Sequence, residues 1–378
     1  MSMSVKRPLN SLYLHVPFCK DRCYYCSFVS LVNKNNYKKK YINAVLTEME
    51  EILSQNKGPK LNSIYIGGGT PSLLEIKYFE QIFSKINSLS DISKNAEITV
   101  EVNPGTVSIE YLKSLKSTGI NRLSIGIQSF NDEILKSINR IHNGNEAIEA
   151  VDMAKYAGFD NISIDLIYGL PGQNLNIWGN TLNQAIKLDI QHISAYGLKI
   201  EEGTVFARKT PPSLPDEEMS ADMYLKTIEI LEKNNFEHYE ISNFAKSGYE
   251  SKHNLAYWHN EEYFGFGLGA HGYIDEIRYS NTCSIEEYIE NPLKKASEHK
   301  ATRQEIIEEG IFLGLRLTKG ININKFNSEY GINLLEKFES VINKYIDYGF
   351  MEIKEGYLRL TTEGILISNT ILAEFIAE

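Results

Sequence analysis

Six short apolar segments, separated by stretches with helical spacing, constrain the fold of this 378-residue chain more than any other feature. The segments are residues 11–16, 63–66, 97–102, 122–127, 162–167 and 192–198. Continuous apolar runs are typical of strands that are buried on both faces of a parallel sheet. Strands that alternate with helices predict right-handed βαβ units. Six units are two short of a closed eight-stranded barrel, so the sequence predicts an α/β fold with a partial (β/α)6 barrel.

The pattern changes after residue 200 and again after residue 300, which divides the chain into three predicted domains. Residues 1–200 form the partial barrel. Residues 201–300 form an extension rich in aromatic residues and histidine, in which 236–273 shows no regular pattern and 281–301 looks like a polar connector. Residues 301–378 contain a capping box at Thr302 and Glu305, helical patterns over 323–330 and 334–348, and a hairpin around Glu355-Gly356. The sequence therefore predicts a small, winged-helix-like C-terminal domain.

A winged-helix-like domain suggests DNA binding, but fold alone does not decide function. The second predicted helix of this domain carries only Lys325 as a basic residue, and the whole chain has a net charge of -10. Binding to nucleic acid depends on Lys and Arg that neutralise phosphates. We therefore expect no nucleic-acid partner, and we interpret the domain as a lid or a partner-binding module.

The chain has no sequence signal for a membrane span or for secretion. No apolar run approaches the roughly 20 residues that cross a bilayer, and the first ten residues lack the apolar core of a signal peptide. We expect a cytoplasmic protein whose thiols stay reduced. Peripheral membrane association is left open, although the net negative charge of the chain offers no membrane-binding signal. Oligomeric state is also left open.

Three of the four cysteines, Cys19, Cys23 and Cys26, fall within eight residues directly after the first predicted strand. Three thiolates at this spacing are able to converge on one iron-sulfur cube, which ordinarily takes four protein ligands. One iron would then be open to a substrate or cofactor. Zinc with His15 as the fourth ligand is the alternative, although His15 lies at an unusual spacing for a zinc site. A disulfide is disfavoured by the reducing compartment.

Polar residues follow the carboxyl ends of the next strands. Gly67 to Ser72 form a glycine turn after the second strand, and Glu101 and Gln128 end the third and fourth. Arg140 follows one helix later, and Asp165 interrupts the apolar fifth strand. A carboxylate in a buried strand is costly unless it has a partner. Because parallel strands present their carboxyl ends at one rim, these residues favour a single polar ligand there.

The cysteine triplet after a strand, together with Tyr25 just before the third cysteine, resembles the radical S-adenosylmethionine (SAM) superfamily. The whole chain is similar to the branch that contains HemN-type coproporphyrinogen dehydrogenases and HemW haem chaperones. The resemblance implies a 4Fe-4S cluster ligated by Cys19, Cys23 and Cys26, with SAM as a second cofactor. The SAM contacts that it implies are Tyr13, Tyr25, Gly68, Gly69, Thr70, Glu101, Gln128, Arg140 and Asp165.

Three features separate the two subfamilies. HemN-type enzymes have a further cysteine after the triplet, where this chain has Phe28, and they have a longer segment before the motif than the dozen residues present here. The third feature is the run from His253 to Trp258, which resembles the HNxxYW motif of HemW proteins. The resemblance therefore implies the chaperone subfamily.

The HNxxYW motif implies haem as a third ligand, bound by His253, Tyr257 and Trp258. Imidazole ligates haem iron, and aromatic rings pack on a porphyrin face. A core histidine beside buried aromatic rings is the alternative. Other candidate ligands are His15, His238, His259 and His271.

The resemblance implies a haem chaperone that delivers haem to haemoproteins such as respiratory enzymes. The alternative is oxygen-independent coproporphyrinogen III oxidation, in which SAM-dependent oxidative decarboxylation converts propionates to vinyl groups. Radical chemistry on another substrate is a third hypothesis. An electron donor is a further expected partner if the cluster is reduced.

Overall fold

The structure is a computed structural model that describes residues 7–376. The strands in this part of the chain are β1 Leu9–Val16, β2 Phe18–Cys19, β3 Leu31–Val32, β4 Lys60–Gly68, β5 Asp91–Val102, β6 Arg122–Gln128, β7 Ile162–Tyr168, β8 His192–Gly197, β9 Glu237–Glu240, β10 Asn243–Ala245, β11 Glu262–Phe266, β12 His271–Ile274, β13 Ile277–Asn281, β14 Lys295–Lys300, β15 Ile321–Asn322, β16 Met351–Lys354 and β17 Tyr357–Leu360.

The helices of the same part are α1 Lys38–Gln55, α2 Ile76–Leu89, α3 Ile109–Ser117, α4 Asp132–Ser137, α5 Gly144–Tyr156, α6 Leu175–Lys187, α7 Val205–Arg208, α8 Glu217–Lys233, α9 Lys252–Trp258, α10 Ile285–Glu290, α11 Arg303–Gly314, α12 Ile323–Tyr330, α13 Leu334–Lys337, α14 Glu339–Asp347, α15 Thr362–Leu366 and α16 Ser368–Ala373. Short 3-10 turns lie at Asn35–Tyr37 and Pro71–Leu73. No helix within residues 7–376 has both the length and the apolar composition of a membrane span.

The six predicted strands are confirmed as the parallel centre of one twelve-stranded sheet. They are neighbours in chain order, β1-β4-β5-β6-β7-β8, and every pair among them is parallel. Side chains alternate along each strand. In β1, Leu12 and Leu14 are fully buried in the main core, which also contains Tyr41 and Val45 of α1. The helices therefore cover the outer face of the partial barrel.

The inner face of the barrel is polar, which differs from the expectation of strands that are apolar on both faces. In β6, Arg122 and Ser124 lie at alternate positions, and both are almost fully buried. In β1 and β4, Ser63 Oγ donates a hydrogen bond of 2.9 Å to Ser11 Oγ. Buried polar groups of this kind require partners across the barrel, so the interior is organised by hydrogen bonds.

The predictions for 236–273 and 281–301 are wrong. The first range contains α9 and parts or all of β9 to β12, and the second contains α10 and β14. β10 pairs with β8, and β11 pairs with β1, so these segments extend both edges of the barrel sheet. Strands of three to six residues carry little periodicity, so their pairing partners are not visible in the sequence. The domain division at residues 200 and 300 stays a prediction.

The C-terminal part has its own core and its own sheet, as a separate small unit would. The capping box at Thr302 and Glu305 is confirmed at the start of α11. The hairpin β16-β17 is confirmed as well, and β15 adds a third strand in the order β15-β17-β16. The predicted helix over 334–348 is split into α13 and α14. Helices followed by a hairpin agree with the predicted winged-helix-like architecture.

Candidate functional site

A cavity of about 370 Å³ opens at the carboxyl ends of the parallel strands, inside the mouth of the barrel. The loop after β1 forms one wall, and the strand ends of β4 to β8 form the others. All three clustered cysteines line it, together with eight of the nine predicted SAM contacts. These eight are Tyr25, Gly68, Gly69, Thr70, Glu101, Gln128, Arg140 and Asp165. The predicted common rim of Gly68, Glu101, Gln128 and Asp165 is thus present, and their roles toward a ligand stay predictions.

The cysteine loop brings three half-buried thiols to this wall. The backbone N–H of Cys26 donates to the carbonyl oxygen of Cys23 at 3.2 Å, which closes a turn. Thr70 Oγ1 donates to Cys19 Sγ at 3.8 Å, and Arg140 Nη1 donates to Cys23 Sγ at 3.5 Å. Burial raises the pKa of the Cys19 thiol to about 11. A thiolate at that position therefore needs a cation to stabilise it, as bound iron would.

The arrangement fits a cluster better than a single ion. Within residues 7–376, no three His, Cys, Asp or Glu side chains are close enough to hold one metal ion. The thiolates of a cube each bind a different iron, so separated sulfurs are expected. His15 is not free to act as a zinc ligand, because Nδ1 contacts Tyr13 Oη at 3.0 Å and Nε2 contacts the Val29 carbonyl at 2.8 Å. The zinc alternative therefore lacks its fourth ligand.

The glycine turn after β4 presents backbone rather than side chains to the cavity. Gly68 has φ of 116°, and a methyl group there would lie 2.5 Å from His15 Cε1. A methyl group on Gly69 would lie 2.9 Å from Cys19 Sγ. At position 68, only glycine tolerates both the positive φ and the lack of space for a Cβ beside His15. Thr70 Oγ1 accepts from Asn103 Nδ2 at 2.9 Å, which fixes the end of the turn.

Two half-buried carboxyl groups face the cavity from β5 and β7. Glu101 Oε1 accepts from Tyr65 Oη at 2.9 Å, and Oε2 accepts from the Gly68 N–H at 2.9 Å. Burial, reinforced by the neighbouring Asp165, raises the pKa of Glu101 to about 7. Burial also raises the pKa of Asp165, whose oxygens accept from Ser124 Oγ at 3.2 Å. Both groups retain capacity to accept hydrogen bonds from ligand hydroxyls.

Arg140 supplies a half-buried cation to the site. Its Nη2 donates to Asn103 Oδ1 at 2.8 Å and to the Gly126 carbonyl. Its Nε has no hydrogen-bond partner among the described residues. A half-buried guanidinium with a free donor is suited to a carboxylate ligand. Gln128 ends β6 with φ of 69°, a left-handed conformation that is costly outside glycine and that recurs at functional sites.

Tyr13 is the exception among the predicted SAM contacts, since it does not line the cavity. Its ring lies 6.2 Å from the ring of Tyr65, and Tyr65 is the residue that faces the cavity. Its hydroxyl is engaged with His15. The position of Tyr13 therefore does not support the predicted contact.

Several cavity residues were missed by the sequence reasoning. They are inward-facing strand residues and one residue of α9, namely Tyr65, Arg122, Ser124, Ser194, Tyr196 and Asn254. For Arg122 and Ser124 a signal was available in the sequence. Both lie an even number of residues before Gln128, and residues two apart share a strand face, so both could have been predicted to face the same cavity as Gln128.

The structure keeps His253 and Tyr257 of the predicted haem motif in contact and places Trp258 elsewhere. His253 is 1% exposed, with Nδ1 contacting Ser63 Oγ at 2.9 Å and Nε2 contacting Tyr257 Oη at 2.9 Å. Burial lowers the pKa of His253 to about 3. Trp258 instead lies against the C-terminal unit, with the Arg316 guanidinium 4.4 Å from its ring centre. In this conformation His253 therefore resembles the core histidine of the alternative interpretation.

The family models match both parts of the chain. The Radical SAM superfamily model matches residues 13–185, and the HemN C-terminal domain model matches residues 301–367. The solved structure of coproporphyrinogen III oxidase (HemN) from Escherichia coli superposes with a TM-score of 0.86 at 22% identity, covering 99% of this chain and 91% of that one. The partial barrel and the family model together define the class, a radical SAM protein. Members of this class hold a 4Fe-4S cluster and SAM.

Full-length relatives give the family within that class. The haem chaperone HemW of Bacillus subtilis (strain 168) is 40% identical over 98% of this chain and 100% of the relative. The haem chaperone HemW of Escherichia coli (strain K12) is 33% identical over 99% of this chain and 100% of the relative. The chain belongs to the HemW family, which confirms the resemblance found in the sequence.

Proposed function

We propose that this protein is a haem chaperone, which binds haem and delivers it to haemoproteins such as respiratory enzymes. The observation that carries the proposal is the 40% identity over nearly the whole chain to a relative named as a haem chaperone. Phe28, at the position of a further cysteine in HemN-type enzymes, supports the same choice. Its side chain is 64% exposed at the mouth of the cavity.

We infer that Cys19, Cys23 and Cys26 ligate the 4Fe-4S cluster. Their shared wall of the cavity supports this assignment, as do the donors from Thr70 and Arg140 that face two of the sulfurs. When bound and reduced, such a cluster would supply an electron for the cleavage of SAM. Thr70 and Arg140 stabilise negative charge on the sulfurs, because hydrogen bonds to sulfur tune a cluster.

The remaining cavity residues have complementary roles toward SAM. The backbone of Gly68, Gly69 and Thr70 lies where it would accept from an amino group. Glu101 and Asp165 would accept from ribose hydroxyls, and Arg140 would pair with the carboxylate. Tyr25 and Gln128 line the same space. These roles match the side-chain chemistry, because carboxylates accept hydrogen bonds and a guanidinium donates them.

We propose that His253, Tyr257 and Trp258 bind haem. Ligation of the iron by His253 requires a change in the structure around its ring. Both ring nitrogens of His253 are engaged. Iron ligation there requires α9 to move away from Ser63, at a cost of about 1–3 kcal/mol for each buried polar group left unpaired. A haemoprotein acceptor, an electron donor, peripheral membrane association and a cytoplasmic location are proposed on the same family basis.

The competing function is oxygen-independent coproporphyrinogen III oxidation. The observation that favours it is the intact cavity, in which cluster and SAM residues adjoin a polar barrel interior. Such an interior has room for radical chemistry on a small polar group. Phe28 opposes this alternative, because it takes the place of the cysteine that is expected in the enzymes.

One anaerobic experiment separates the two functions. Cluster-reconstituted protein is mixed with haem and an apo-haemoprotein in one arm, and with coproporphyrinogen III, SAM and a reductant in the other. We expect haem transfer in the first arm and no protoporphyrinogen in the second. Porphyrinogen oxidation without haem transfer would contradict the chaperone function.

The cluster ligands are tested on the same preparation. We expect Cys19→Ser to lose the visible absorbance of the iron-sulfur cluster, because one of its three thiolate ligands is removed. Cys283→Ser is the matched control and should retain that absorbance, because Cys283 is an exposed free thiol outside the cavity lining. Loss of the cluster in both variants would overturn the assignment.

A further inference from the structure

One short helix, α9, carries residues that face two different ligands. Its His253 and Tyr257 are proposed to bind haem, and Asn254, which lies between them in the sequence, lines the cavity proposed for SAM, here called the SAM cavity. Within residues 7–376 the side-chain amide of Asn254 has no hydrogen-bond partner, and only its backbone N–H contacts another side chain, Ser251 Oγ at 3.4 Å. The amide is therefore free to donate to and accept from a ligand in the cavity.

The ring of His253 is held in the barrel interior by contacts on its edge and on its face. Nδ1 contacts Ser63 Oγ and Nε2 contacts Tyr257 Oη, each at 2.9 Å. The face of the ring stacks on Tyr65, with the ring centres 5.2 Å apart and the planes inclined by 29°. Because both nitrogens are occupied, ligation of haem iron requires the ring to leave this position.

Tyr65 continues this contact into the SAM cavity, which it lines. Its hydroxyl donates to Glu101 Oε1 at 2.9 Å, and Glu101 Oε2 accepts from the Gly68 N–H at 2.9 Å. One ring stack and two hydrogen bonds thus connect His253 to the carboxylate and the glycine turn that are proposed to hold SAM. A contiguous set of packed and hydrogen-bonded groups of this kind carries energetic coupling between sites.

The docked position of α9 and the position that ligates haem make opposite demands on this helix. In the docked position Asn254 completes the cavity wall, and the His253 ring holds Tyr65 beside Glu101. When His253 leaves Ser63 and Tyr65, Asn254 moves with it, because the two residues are neighbours on one short helix. A ligand shifts such an equilibrium only through its different affinities for the two positions. SAM has its full set of contacts only when α9 is docked.

We propose that α9 couples the two sites, so that SAM binding and haem ligation by His253 weaken each other. SAM binding retains α9 on the barrel and favours the release of haem to an acceptor, whereas haem binding retains α9 away from the cavity. This inference rests on the proposed chaperone function and on the assignment of haem to α9, and it adds a regulation of that site. The coupling is reciprocal, because each ligand changes the affinity of the other by the same factor.

The test uses full-length, cluster-reconstituted protein under anaerobic conditions without a reductant, so that SAM is not cleaved. Hemin is titrated with and without saturating SAM, and SAM is titrated with and without hemin. We expect SAM to raise the Kd for hemin about fivefold or more, and hemin to raise the Kd for SAM by the same factor. Equal or tighter binding of hemin in the presence of SAM would overturn the coupling.

Amide exchange reports the position of α9 without relying on a variant. We expect hemin to speed hydrogen-deuterium exchange across Lys252–Trp258 about tenfold or more, and SAM to reverse this effect. Exchange that stays unchanged with hemin bound would show that the helix does not move, which contradicts the proposal.

The variant that tests the shared helix is Asn254→Ala, which removes the amide from the cavity wall. We expect the coupling factor to fall about twofold or more. Asn145→Ala, on an exposed residue of α5 outside the cavity lining, is the matched control and should retain the full factor. A full factor in Asn254→Ala would overturn the coupling through α9.

The hemin titrations also separate this inference from the proposed function. Unchanged hemin binding by His253→Ala would overturn the inference alone, because the haem would then be ligated elsewhere. No hemin binding by the unmodified protein would overturn the chaperone function, and the coupling with it.

Discussion

Glu101 shows how one residue's environment sets the chemistry of the cavity. Its carboxyl group is half-buried near the end of β5 and has a pKa of about 7, raised first by desolvation and then by Asp165. Near neutral pH it is therefore divided between two protonation states. Only the ionised state offers full acceptor capacity to ribose hydroxyls and attracts the positive charge of SAM.

We predict that SAM binding strengthens as pH rises through 7. Between pH 6 and pH 8 the ionised fraction of Glu101 increases about tenfold, so the affinity should increase by up to roughly tenfold. Calorimetric titration at several pH values measures it. Glu101→Gln removes the titrating group and should flatten the profile. An equally steep profile in that variant would assign the pH dependence to another group.

At the scale of the element, α9 depends on a carboxylate from the barrel interior. A seven-residue helix is not stable by itself. Glu97 of β5 accepts hydrogen bonds from the Lys252 N–H at 3.1 Å and the His253 N–H at 3.2 Å. It also lies 4.0 Å from Arg122 Nε. The helix therefore forms the floor of the barrel because a buried anion caps its N-terminus.

We predict that Glu97→Ala releases this helix. The substitution leaves two backbone N–H groups without their acceptor and the Arg122 guanidinium without its ion-pair partner, at a cost of about 3 kcal/mol. Amide exchange across α9 should become on the order of a hundredfold faster, as measured by hydrogen-deuterium exchange. Glu110→Ala, at the exposed start of α3, is the matched control and should leave α9 unchanged. Unchanged exchange in Glu97→Ala would show that packing alone holds the helix.

The whole molecule is held together by contacts between the barrel sheet and the C-terminal unit. Arg278 of β13 donates to both carboxylate oxygens of Glu309 on α11, with Nε and Nη2 each at 2.5 Å. Arg316 lies over Trp258 of α9, and an isolated bridge pairs Glu240 with Leu317. The floor of the barrel is thus in contact with the C-terminal unit.

We predict that Glu309→Gln weakens this junction. The ion pair is partly exposed, so its loss should cost only about 1–2 kcal/mol. Calorimetry should then show the C-terminal unit unfolding several degrees earlier. Lys344→Ala is the matched control, because its ion pair with Glu374 lies within the C-terminal unit. The junction would be unimportant if both variants unfolded alike.

The local sequence pattern was sufficient to predict the central strands, the capping box and the residues at the rim of the cavity. Cys19, Cys23 and Cys26 share one short loop, and Gly68, Glu101 and Asp165 follow or interrupt apolar strands whose parallel order brings them together. Periodicity and turn chemistry act over a few residues, so sequence reveals them directly. The comparisons with relatives confirm the family that these motifs indicated.

Only the tertiary structure decided which way the remaining side chains face. The motif of His253 was visible, but the docking of α9 on Glu97 turns that ring into the barrel interior, against Ser63. Tyr13 was placed behind Tyr65 by strand register, and Cys283 was brought beside the cysteine loop by the turn at Gly269. The sequence by itself determined the partial barrel and the cysteine triplet, because both rest on local spacing. The position of His253, His271 and Cys283 depends on packing between distant segments, which no local pattern encodes.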